Sequence, residues 1–337
     1  MARSRGVLLV LAALAVASAG ALSAQGGYRA ARTPWGDPDL QGIWPSTDML
    51  TVPIERPVEF GTRAVLSDEE FARRQADTRR QAAADEEETI LARETSSAPG
   101  AGTGPPSHWG ERGRAQRQAS LVVEPANGRK PRMTPYGEER MAMRARLSST
   151  GEGPFDSPAD LDYYDRCISR GVVGGILPVV YNNGTQIIQS PGYVVIRYEM
   201  IHEARVIPLD GRPGLPSAMR SYMGEPRGHW EGETLVVETT NFNGTIGVTG
   251  NGRLQPASDA LRIVERFTRT DGDTIQYQAT VTDPKTWTAP WTVSFPLTRD
   301  DGYGFYEYAC HEGNNAMRNI LSGARAAERA ARGGAGR

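Results

Sequence analysis

The chain is poor in the residues that most often announce a chemistry. It has two cysteines and four histidines in 337 residues. Two cysteines permit one intramolecular pairing and no other. The four histidines match no metal motif, because His202-Glu203 is not followed by a second histidine four residues on, as a zincin helix requires. No Gly-x-Ser-x-Gly turn exists to present a nucleophilic serine. Gly171-Val172-Val173-Gly174-Gly175 follows a helical pattern, not a strand, and makes a poor phosphate loop. The formal net charge of −2 excludes a global field that would draw the chain to nucleic acid or an anionic membrane. Beyond the first two dozen residues, no apolar run is long enough to span a bilayer. Apolar stripes with the helical period are few, whereas glycine (38) and proline (23) are abundant. That balance predicts many short strands and turns.

What is present begins with an export pattern. Arg3 and Arg5 precede an apolar stretch over 6–16, and Ala19-Gly20-Ala21 and Leu22-Ser23-Ala24-Gln25 offer small-residue cleavage sites. This reads as a signal peptide over 1–24 and a periplasmic or secreted protein, with a retained N-terminal anchor as the alternative. Export places Cys167 and Cys310 in an oxidising compartment, where a disulfide is expected. Closing a loop of about 143 residues gives ~5 kcal/mol from chain entropy, and engineered bonds often deliver less. Two buried thiols, or a reactive Cys167 beside Arg166, are the other readings.

Residues 25–160 divide into an extended arm, helices and a linker. Pro and Gly punctuate 28–60. Helices are predicted over 67–93, with Ser67 and Glu70 forming a capping box, over 135–147, and over 158–170, with Ser157 as cap and Pro158 at the first position. Residues 94–107 are rich in Ser, Gly and Pro and read as a linker. Leu121-Val122-Val123 makes a short strand.

From about Gln186 the period becomes two. Strands are expected over 193–200, 205–209, 234–241, 261–268, 274–282, 291–297 and 305–310. In 274–282, Ile275, Tyr277, Ala279 and Val281 share one face. No helix-length segment interrupts the series, so the sheet is expected to be antiparallel. The fold class is mainly β: a lipocalin-like antiparallel barrel or half-barrel over 161–323, with peripheral helices at the N-terminal side and the C-terminus. A two-sheet sandwich is the alternative. A C-terminal helix over 314–332 is read as broken near Ser322-Gly323, and 324–337 as a basic tail.

The strings Tyr181-Asn182-Asn183, Glu199-Met200-Ile201-His202, Ile207-Pro208-Leu209-Asp210-Gly211-Arg212-Pro213, Trp230-Glu231-Gly232-Glu233 and Tyr308-Ala309-Cys310-His311-Glu312-Gly313-Asn314 resemble those of a family of exported bacterial proteins of unassigned function. The resemblance covers about 38–323 and implies a shared fold and export. It implies no catalytic residue.

Candidate site residues come from strand faces. If alternation continues past Met200, His202 shares a face with Tyr198. Glu265 shares a face with Leu261, Ile263 and Phe267, where a carboxylate is costly unless paired. Glu307 and His311 fall on a similar mixed face. His202, His311 and Glu265 are therefore candidates for acid–base chemistry, and Tyr198, Glu307, His229 and Arg212 for ligand contact. A buried Arg–Glu network, with Arg197, Arg205, Arg212 or Arg266 as partner, is the competing reading for the carboxylates. No metal and no cofactor are expected. Trp230, Trp287 and Trp291 offer sugar-stacking surfaces or core packing.

These features support an exported binding protein for a small, partly apolar molecule. A cofactor-free isomerase, lyase or hydrolase and a structural envelope protein are the alternatives. Neither nucleic acid nor a membrane span after signal cleavage is expected. Oligomeric state is not encoded in these patterns.

Overall fold

The structure, a computed structural model, describes residues 28–95, 110–146, 153–161, 163, 165–247 and 255–334. The expected signal peptide, His108 and nearly all of the expected 94–107 linker lie outside them.

Thirteen named elements follow in chain order among the described residues: β1 (Gly42–Ile43), α1 (Asp68–Thr95), β2 (Val122–Glu124), α2 (Pro135–Arg146), β3 (Thr185–Ser190), β4 (Tyr193–Tyr198), β5 (Ala204–Pro208), β6 (Glu225–Glu231), β7 (Thr234–Thr240), β8 (Arg262–Arg269), β9 (Thr274–Thr282), β10 (Trp291–Thr298) and α3 (Asn315–Gly334). They form two antiparallel sheets, β1-β3-β4-β5 and β2-β10-β9-β8-β7-β6. The arm is not a separate layer, since β1 completes one sheet and β2 the other.

Alternation decides which side chains go inside. Ile275, Tyr277, Ala279 and Val281 are fully buried, as the period of β9 predicts, and the residues between them are half-exposed. The ladder aligns Phe267 with Tyr277 and Tyr277 with Phe295, which pack tilted and edge to face across three strands at 5.0 and 5.3 Å between ring centroids. The inner face of the other sheet supplies Ile187, Val194, Ile196 and Ile207 to the same core. Trp44, Met49 and Val52 close it from the arm, and Leu121 from the residue before β2.

Neither sheet closes on itself, and among the described residues no ladder joins one to the other, so the closed lipocalin-like barrel is not what forms. β5 runs beside β6, but side chains fill the seam. A Cβ on Gly228 would sit 2.6 Å from Leu209 Cδ2 and 2.8 Å from Ile207 Cγ2. Glycine at 228 leaves room for these two side chains over the face of β6. Two sheets around one core is the architecture observed.

The capping box of α1 is present: Ser67 N donates to Glu70 Oε2 at 2.8 Å and Glu70 N to Ser67 Oγ at 3.3 Å. Three local expectations are corrected. Ser157 and Pro158 start only a single 3₁₀ turn, Pro158–Asp160, which ends where the Leu161 backbone turns extended (φ −84°, ψ 152°). Cys167 therefore lies in a turn, with φ +57°, and not in a helix. Residues 305–310 form no strand. The C-terminal helix runs unbroken through Ser322-Gly323. β6 escapes the period rule because Pro226, Gly228 and His229 interrupt its apolar alternation.

Candidate functional site

Glu265 and Tyr198 lie in the sealed interior. Arg205 on β5 reaches across from the four-stranded sheet. Its Nη1 and Nη2 donate to Glu265 Oε1 (3.1 Å) and Oε2 (2.6 Å), and the same nitrogens donate to Tyr198 Oη (2.8 Å) and Thr239 Oγ1 (3.2 Å). Tyr277 Oη donates to Glu265 Oε1 at 3.1 Å. Glu265 is 0% exposed and Arg205 3%. Burial works against the Arg205 charge, but the facing Glu265 more than offsets it and raises the guanidinium pKa. Burial raises the phenol pKa values of Tyr198 and Tyr277. The group links the two sheets and leaves no opening for a ligand. It is the buried Arg–Glu network, with Arg205 as partner.

The histidines lie elsewhere. β4 ends at Tyr198, and Ile201 (φ +62°) and His202 (φ +44°) turn the backbone out of the strand. His202 is thus carried off the Tyr198 face to the surface, where its Nδ1 lies 2.8 Å from Tyr308 O. His229 is exposed on β6, with Nε2 3.2 Å from Glu231 Oε1. His311 is exposed in the turn after Cys310. Arg212 is exposed and bonds Asp210 and the Tyr193 hydroxyl. His202, Glu265 and His311 do not converge. Trp287 and Trp291 pack edge to face in the core, 5.9 Å apart.

A different place collects chemistry. A cleft of about 940 Å³ opens between the 303–316 segment and the turns carrying Tyr181 and Glu199. Of the residues singled out from sequence, Glu307 and the two cysteines line it. Cys167 and Cys310 are disulfide-bonded, with Cα atoms 5.7 Å apart. The bond ties one wall of the cleft to the turn at 165–167.

The floor is built on one phenol between two carboxylates. Tyr303 Oη lies 2.6 Å from Glu199 Oε2 and 2.8 Å from Glu111 Oε1. Burial, reinforced by the hydrogen bond to Glu199 and the charge of Glu111, raises the Tyr303 pKa, so the phenol keeps its proton. Other donors hold the carboxylates in place. Glu199 accepts from Asn182 Nδ2 (2.9 Å), Gly184 N (3.2 Å) and Tyr306 N (3.2 Å). Glu111 accepts from Thr47 Oγ1 (2.8 Å), Asn183 Nδ2 (2.9 Å) and Asn183 N (3.1 Å). Gly184 is needed here: a Cβ would lie 2.8 Å from both Glu199 Oε2 and Tyr303 Cε1.

Tyrosines supply the apolar faces. Tyr181 and Tyr308 stack at 6.3 Å and 23°. Tyr306, 73% exposed, stands at the rim. Among the described residues no group of three or more His, Cys, Asp or Glu is placed to hold a metal ion.

No family model, curated protein or solved structure matches the chain. The site is therefore read from its geometry. Period and motif rules did not single out Glu111, Glu199 or Tyr303, because the four segments that build the floor meet only in the fold. Three of the strings quoted from the sequence supply lining residues: Tyr181 and Asn182, Glu199, and Tyr308 to Asn314 except His311.

Proposed function

We propose that this is a binding protein for a small, partly apolar molecule, and that the cleft behind the Cys167–Cys310 disulfide is its site. The observation that carries the reading is the cleft itself. Its volume falls in the range of about 300–1,000 Å³ typical of small-molecule sites. It joins tyrosine faces to a few fixed polar groups, the combination that gives such sites both affinity and orientation.

Binding is favoured over catalysis by how the carboxylates are used. Each of Glu111 and Glu199 accepts three hydrogen bonds from other groups, and the single Tyr303 proton lies between the two. They clamp three loops together and have little freedom left for moving protons. The acid–base reading built on Glu265 loses its site, since that carboxylate is enclosed by Arg205 and Tyr277. Export fits the disulfide and supports a periplasmic or secreted location. Among the described residues no helix is long and apolar enough to cross a membrane.

The test is a saturation-transfer NMR screen of small aromatic compounds against the full chain, repeated with Tyr306→Ala and with His229→Ala. Binding that is lost in Tyr306→Ala and kept in His229→Ala supports the cleft. A screen in which nothing binds, or in which Tyr306→Ala binds as well as the parent, rejects it.

A further inference from the structure

The charges around the cleft are of one sign. Glu111, Asp165, Glu199, Glu307 and Glu312 all border it, and its lining contains no lysine, arginine or histidine. The four glutamates have no ion pair among the described residues. Glu199 is only 2% exposed and is held by neutral donors alone.

The neighbouring cleft, of about 400 Å³, makes the contrast. It shares Glu111 and Tyr303, yet its arginines are matched one by one: Arg114 with Asp48 at 2.8 Å, Arg299 with Asp301 at 2.9 Å, and Arg112 with Asp85. The chain carries ample arginine and pairs it closely on one side of the Glu111–Tyr303 contact. On the other side the four glutamates have no paired cation among the described residues. A concave wall focuses such a field, so the unmatched side attracts positive solutes.

The second observation is aromatic and independent of the charges. Tyr181, Tyr306 and Tyr308 present ring surface to the same space. Tyrosine faces attract cations through the ring quadrupole and apolar bodies through burial. A carboxylate-lined, tyrosine-faced cleft without any cation of its own therefore selects one ligand chemistry.

We infer that the cleft takes an organic cation, a molecule with an apolar body and an ammonium or amidinium head. The head sits among Glu111, Glu307 and Glu312, and the body lies on the tyrosines. This rests on the reading of the cleft as a binding site and narrows it to one ligand class.

Three soluble compounds of nearly one shape test it: benzamidine (cationic), benzamide (neutral) and benzoate (anionic), titrated into the full disulfide-bonded chain by calorimetry. The expected order is benzamidine, then benzamide, then benzoate, with benzamidine about tenfold tighter than benzamide at low salt. Raising salt weakens benzamidine and leaves benzamide unchanged. The double variant Glu307→Gln/Glu312→Gln removes two exposed acids that bond no other group among the described residues, and it should cut the benzamidine preference about threefold or more.

Equal affinity for benzamidine and benzamide overturns the cation inference and leaves the small-molecule reading standing. So does a benzamidine preference that ignores both the double variant and salt, since the cation is then held somewhere else. Failure of all three compounds to bind a chain with an unchanged melt overturns both.

Discussion

Arg205 and Glu265 come from different sheets and meet in the interior through two hydrogen bonds of 3.1 and 2.6 Å, with Tyr198, Tyr277 and Thr239 around them. Removing one partner leaves a buried charge without its counterpart. Glu265→Gln should cost ~3–5 kcal/mol in urea unfolding. Replacing the pair together, Arg205→Met/Glu265→Leu, should recover most of that loss, because desolvation of both charges is avoided. In conditions where Glu265→Gln is folded, benzamidine should bind as it does to the parent. Lost binding with intact folding would return Glu265 to the functional site.

Glu203 gives a pH signature. Burial raises its carboxyl pKa, partly opposed by the 2.6 Å hydrogen bond from Ser169 Oγ. Its folded value therefore lies above its unfolded value near 4.3. Such a group favours the fold below the unfolded pKa, and that contribution is lost as pH rises through the folded pKa. Glu203→Gln should accordingly melt at a higher temperature than the parent at pH 7, with the gap closing at about pH 4. Thermal melts at the two pH values check this, and a gap of equal size at both would contradict it.

Gly184→Ala should damage the floor of the cleft. The new Cβ meets Glu199 Oε2 and Tyr303 Cε1 at 2.8 Å, so the phenol or the carboxylate must move. We expect a loss of ~1–3 kcal/mol in stability and weaker benzamidine binding. Gly272→Ala, where a Cβ would meet nothing within 4 Å, is the control and should be silent in both measurements.

Much of the core was legible in the amino-acid pattern. β9 was bounded to the residue, and the inward placement of Glu265 followed from the strict alternation of β8. Alternation failed where the backbone left the strand. His202 was extrapolated onto the Tyr198 face, and nothing in the local pattern shows that Ile201 and His202 adopt positive φ. Ser157 and Pro158 did start a helical turn, but it ends at Leu161 although 161–170 carries apolar residues at helical spacing (Leu161, Tyr164, Ile168), so the local pattern did not mark its end. The cleft was least legible. Glu111, Asn183, Glu199 and Tyr303 are brought together by tertiary contacts, and no spacing rule connects segments that far apart.

The Cys167–Cys310 bond makes three predictions. Alkylation of the unreduced chain should add no mass, since both thiols are consumed. Cys167→Ser/Cys310→Ser should lose up to ~5 kcal/mol, as the bond closes a 143-residue separation. The 303–314 segment has no regular structure and no fully buried residue. Mild reduction should therefore release it and abolish benzamidine binding before the far-ultraviolet dichroism of the sheets changes. Dichroism and binding lost together would show that the sheets depend on the bond.

That placement separates the maturation of the site from the folding of the body. Both sheets and their shared core contain no sulfur linkage, so a reduced chain can complete them while one wall of the cleft is still untethered. Oxidation then finishes the cleft. The coupling runs in both directions, because a molecule that binds only the finished cleft stabilises the state in which the two sulfurs are close. A ligand present during oxidative refolding should thus act as a template, speeding the pairing of Cys167 with Cys310.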